Sequence, residues 1–71
     1  MNKSILTDRE REVFLLLIKN YDTKDIADKL NISEKTVRNH ISNAMQKLEV
    51  KGRTQAVIEL LKMGEIDLEN D

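Results

Sequence analysis

The chain has 71 residues, about half the length of a typical domain, which limits it to one small fold with a core that is marginal on its own. It carries no cysteine and a single histidine, so disulfides and a dedicated zinc site are excluded as sources of stability, and the length excludes a large enzyme scaffold. Hydrophobic residues make up 39% and charged residues 35%, a balance that folds rather than remaining disordered.

A formal net charge of -1 conceals a segregation. Residues 1–32 hold six charges of each sign, residues 33–53 hold five basic against two acidic, and residues 59–71 hold one basic against five acidic. The positive excess in the middle of the chain is a reason to look for an anion-binding surface there. The longest apolar run covers residues 13–18, far short of the roughly 20 residues that span a bilayer. Charged residues at 8–12 interrupt what would be the apolar part of a signal peptide, and with the lack of cysteine this predicts a cytoplasmic protein with no membrane partner.

In chain order, Thr7 with Glu10 three positions on forms a capping box that opens a first helix over about residues 8–19. Val13, Phe14, Leu16 and Leu17 make its apolar face, with Leu15 on the far side, and Asn20 suits a left-handed helix end. Thr23 is the expected N-cap of a second, short helix over about 24–30, which turns Ile26, Ala27 and Leu30 inward. Asn31 and Ile32 make a tight connection, and Ser33 caps a third helix over about 34–48. A fourth helix runs over about 54–63 and stops at Gly64. Residues 65–71 form an acidic tail: a solubilising end that frays, a contact for RNA polymerase, or a guard against non-specific DNA binding. There is no proline, repeat or linker, so residues 1–71 are read as a single all-α domain.

The third helix has two faces. At about 100° per residue, Val37, Ile41, Ala44, Met45 and Leu48 fall on one stripe, which is the core side. Opposite lie Lys35, Arg38, Asn39, Ser42, Asn43 and Gln46, with Thr36, His40 and Lys47 along a shoulder and no acidic residue between 35 and 47. A merely solvated face would be filled with Glu and Lys pairs. Asn39, Ser42 and Asn43 are weak helix formers, which points to selection for contact. Arg forks onto guanine O6 and N7 and Asn onto adenine N6 and N7, each pair giving about 1–3 kcal/mol of discrimination. A short helix, a tight turn and a longer helix over residues 26–41 is the helix-turn-helix arrangement, in which the first turns of the second element enter the major groove.

The pieces L-T-x-R-E at 6–10, I-A-x-x-L-x-I-S-x-x-T-V at 26–37, His40, Lys47 with Leu48, and R-T-Q-A-V at 53–57 make residues 6–66 resemble the LuxR/FixJ/GerE-type helix-turn-helix family. Within it the chain is most similar to the stand-alone sporulation regulators. The resemblance implies four helices, a bacterial transcription regulator on double-stranded DNA, and a fourth helix that forms a homodimer. Carried over by position, it assigns base reading to Arg38, Asn39 and Ser42. Thr23, Lys24, Ser33, Lys35, Thr36, His40, Asn43 and Lys47 become candidates for phosphate contact. Asn20 and Glu49 stand where the family often has Gly, and because Glu resists the left-handed conformation the turn after the third helix is expected to differ. The receiver or ligand-sensing domain common upstream in the family is not in this chain, which either stands alone or is one part of a longer regulator.

On the fourth helix, Ala56, Val57, Leu60 and Met63 share one side, and Ile58 and Leu61 lie on another, where a dimer contact is expected. A two-fold dimer sets two recognition helices about 34–36 Å apart, one turn of DNA. Met45 and Met63 are expected as core fillers, and Tyr21 as a cover for the end of the first helix. His40 has no second His or Cys with which to hold a metal. Ser33 and Ser42 have no base and orienting group at a recognisable spacing, and the lone Gly52 and Gly64 make no phosphate loop. No enzyme activity, cofactor or metal is expected. The rival reading is a protein-interaction or sigma-factor-like module docking on the transcription machinery.

Overall fold

The structure, a computed structural model, describes residues 5–68. Four helices follow one another: α1 (Asp8–Ile18), α2 (Thr23–Leu30), α3 (Glu34–Leu48) and α4 (Arg53–Lys62). This is the all-α architecture that the apolar spacing requires, and α3 is its axis, packed against each of the other three. Val13 and Phe14 of α1, Ile26 and Ala27 of α2, Val37, Ile41 and Ala44 of α3, and Ala56 and Leu60 of α4 are buried together. Leu15, expected on the far side of α1, is half-buried against this core. Met63 is not a core filler: it is 49% exposed, because α4 ends at Lys62 and the chain turns at Gly64 to bring Ile66 inward instead.

The starts of α1 and α3 follow the sequence. Thr7 Oγ1 accepts from the Glu10 amide at 3.1 Å while Glu10 Oε1 accepts from the Thr7 amide at 3.0 Å, and Ser33 Oγ accepts from the Thr36 amide at 3.0 Å. The start of α2 is shifted by one residue. Its cap is Asp22, whose Oδ1 accepts from the Asp25 amide at 2.8 Å, and Thr23 is the first helical residue. A carboxylate at this position satisfies an orphan amide and also meets the positive end of the helix dipole.

All four helices end alike. Asn20, Asn31, Glu49 and Gly64 each have φ between 57° and 74°, and the amide one residue later reaches back five residues: Tyr21 to Leu16, Ile32 to Ala27, Val50 to Met45 and Glu65 to Leu60. This is the Schellman pattern, which satisfies carbonyls the helix leaves orphaned. The turn after α3 therefore does not differ from the others. Glu49 adopts the left-handed conformation despite its Cβ, with Val50 half-buried against the core beyond it.

Past α4 the chain doubles back onto α1. Arg11 Nη2 lies 2.9 Å from Glu65 Oε1, and Arg11 Nε donates to the Glu65 carbonyl at 3.1 Å. The Ile5 amide donates to Glu65 Oε2 at 3.4 Å, and Ile66 is buried beside them. The acidic tail expected from residue 65 thus contributes its first two residues to the fold; Glu69, Asn70 and Asp71 lie outside the described residues.

Candidate nucleic-acid interface

The burial of Val37, Ile41 and Ala44 fixes the rotation of α3, and with it what the helix shows to solvent. Lys35, Arg38, Asn39, Ser42, Asn43 and Gln46 are all exposed, outside that buried stripe. Thr36 and His40 are half-buried along the shoulder. The N-terminal end of α2 adds an exposed Lys24 and a half-buried Thr23 to the edge of the same unit.

The polar groups of this face are not equivalent. Ser33 and Thr36 hold each other, hydroxyl to hydroxyl at 2.9 Å, while Ser33 also caps the helix. Arg38 lies along the helix with Nη1 3.5 Å from Glu34 Oε1, both side chains about half exposed. Lys35, Asn39, Ser42 and Asn43 carry no side-chain hydrogen bond or ion pair among the described residues.

Lys47 is set apart. Its Nζ lies 2.6 Å from Glu10 Oε1, and the Glu10 side chain is only 4% exposed. One carboxylate therefore closes the α1 capping box and anchors the C-terminal half of α3. Burial alone would raise the Glu10 carboxyl. The hydrogen bonds from Lys47 and the Thr7 amide, with the attraction of Lys47 and His40, outweigh it and hold the group below its ordinary value. A capping box is visible in local spacing, but a partner 37 residues away is not. Glu34, by contrast, sits four residues before Arg38, a spacing legible from sequence.

The connection between α2 and α3 closes through Asn31 in a left-handed turn, with Ile32 N–H on the Ala27 carbonyl at 3.0 Å. Two helices held by so short a turn, the second burying one stripe and exposing Arg, Lys, Asn and Ser on the other, define a helix-turn-helix DNA-binding domain. Residues 4–60 match the family of bacterial regulatory proteins of the luxR type, and the chain belongs to that family: a DNA-binding transcription regulator, not an enzyme. It is 70% identical over 67 residues to the spore germination protein GerE of Bacillus subtilis, covering 94% of this chain and 90% of that one. A solved structure of the transcription factor GerE superposes with a TM-score of 0.91 at 63% identity, over 94% of this chain and all of the other. The transcriptional regulatory protein DegU of Brevibacillus brevis is 53% identical over 60 residues, which are 84% of this chain but 25% of DegU. No helix among the described residues is long and apolar enough to cross a membrane.

Proposed function

We propose that the chain acts as a homodimeric, sequence-specific regulator of transcription in the bacterial cytoplasm, with α3 in the major groove of double-stranded DNA. The observation that carries this reading is that Arg38, Asn39 and Ser42 are all exposed on α3, outside its buried stripe. These are the residue types that read base edges, and Arg38 and Asn39 stand in the first two turns, where recognition helices read them. Lys24, Lys35, Asn43 and His40 flank them for phosphate contact, as do Thr23, Ser33 and Thr36 at the helix starts. Lys47 joins them through the ammonium hydrogens that its bond to Glu10 leaves over, its side chain being 35% exposed.

Dimerisation is assigned to α4. Ile58 is 46% exposed and Leu61 half-buried, which leaves apolar surface on an element whose inner side is already packed. The similarity to the spore germination protein supports a role in sporulation, and contact with RNA polymerase belongs to the same reading.

Salt dependence tests the DNA-binding mode. Log affinity for bacterial promoter DNA should fall with log salt at a slope of about -0.9 per neutralised phosphate. Lys35→Ala should weaken all sequences alike and make the slope shallower by about one. An affinity indifferent to salt is the result expected of a protein-docking module instead. Normal sporulation and germination in a deletion strain of a spore-forming host removes the sporulation role.

A further inference from the structure

The recognition face contains one acidic group to which the proposed DNA contacts give no role. Glu34 is the first residue of α3, one turn before Arg38, and its Oε1 lies 3.5 Å from Arg38 Nη1. A helix surface facing polyphosphate gains nothing from a carboxylate as such, because every phosphate nearby repels it. Its first-turn position suits the helix dipole, but that role needs only the charge and not a contact with Arg38. The reach is the informative feature: the side chain that would read guanine is the one that the carboxylate holds.

We propose that Glu34 is a specificity-determining residue that buttresses Arg38 for base reading and penalises its use on phosphates. This rests on the assignment of Arg38 to a base edge. A guanidinium carries five N–H donors in a planar fork. Two of them on guanine O6 and N7 leave others free for a carboxylate at the side, so the pair with Glu34 can persist in the specific complex. Holding the side chain along the helix beforehand also reduces the freedom it loses on binding. On a sequence without guanine at that place, Arg38 has only phosphates to meet. Reaching them means leaving Glu34 unpaired beside the DNA, so the carboxylate weakens the wrong complex more than the right one. An exposed pair of this kind is worth only about a twofold change in the free protein, so its effect lies in the difference between complexes and not in fold stability.

The test is a double-mutant cycle. A randomised duplex library is selected with the unaltered protein, and affinities are measured for the enriched duplex and a scrambled one. Wild type, Glu34→Gln, Arg38→Ala and the double variant are compared, with helicity checked by circular dichroism. Glu34→Gln should raise affinity for the scrambled duplex by about three- to tenfold, the scale of one effective charge at moderate salt. It should leave affinity for the enriched duplex within about twofold, so that the specificity ratio falls. In the Arg38→Ala background the same substitution should no longer change the ratio. Equal gains on both duplexes, with Arg38→Ala still relaxing the guanine preference, overturn the role of Glu34 and leave base reading intact. If Arg38→Ala itself relaxes no base preference, the base-reading assignment fails and the buttress fails with it.

Discussion

The ammonium of Lys47 and the carboxylate of Glu10, 2.6 Å apart, join the first turn of α1 to the last turns of the recognition helix. Because Glu10 is 4% exposed, removing its partner strands a buried charge. Lys47→Met should lower stability by about 1–3 kcal/mol, the cost of an unsatisfied buried group, measured by urea unfolding at neutral pH.

The same pair sets an acid limit. The folded-state carboxyl of Glu10 lies below its unfolded value of about 4.3, so its contribution is complete above that value and is lost as pH falls through the depressed one. Glu10→Gln should therefore flatten the decline of stability with acidification between neutrality and pH of about 3. Lys47→Met removes the largest of the interactions that lower the Glu10 pKa, so stability in that variant should fall less steeply on acidification than in the wild type. An identical pH profile in all three proteins contradicts the account.

Glu49 holds a left-handed conformation, φ 57°, that costs an ordinary L-residue roughly 1–2 kcal/mol. Glu49→Gly should raise stability by about 0.5–1 kcal/mol, while Glu49→Ala, which keeps the Cβ, should not. Thermal unfolding of the two variants distinguishes relief of backbone strain from loss of a surface charge.

The segment after α4 gives a contrast between neighbours. Ile66 is 4% exposed and Leu68 67% exposed. Ile66→Ala should cost about 2–4 kcal/mol, and Leu68→Ala should stay within about 0.5 kcal/mol. Equal effects would mean that the chain does not dock on α1 through the Arg11–Glu65 clasp.

Most of the fold is legible in the sequence because it is written locally. The capping box at Thr7, the Ser33 cap, and the spacing of Val37, Ile41 and Ala44 each depend on residues a few positions apart, and they place α3 to the residue. The outward set Arg38, Asn39 and Ser42 follows from the same periodicity. What local spacing cannot show is pairing across the fold. Glu10 with Lys47 and Arg11 with Glu65 join residues brought together only by packing, and no spacing along the chain shows either pair. Met63 fits the helical period of α4 but lies past its last turn, where the period no longer governs direction.

Ile58 and Leu61 carry the dimer proposal. The exposed Ile58 can be changed without disturbing the core, so Ile58→Glu should lower the association constant at least tenfold in sedimentation while far-ultraviolet helicity stays intact. Leu61→Glu should do the same with an added loss of stability, since that side chain is half-buried. Unaltered self-association in the Ile58 variant removes α4 as the interface.

Selection from randomised duplexes decides whether the exposed face of α3 reads bases. Wild type, Arg38→Ala and Asn39→Ala are each carried through the same selection. The two variants should lose preference at different positions of the enriched motif, guanine for Arg38 and adenine for Asn39, with about 1–3 kcal/mol of discrimination lost at each. Enrichment of the wild-type motif by both variants would contradict base reading by α3.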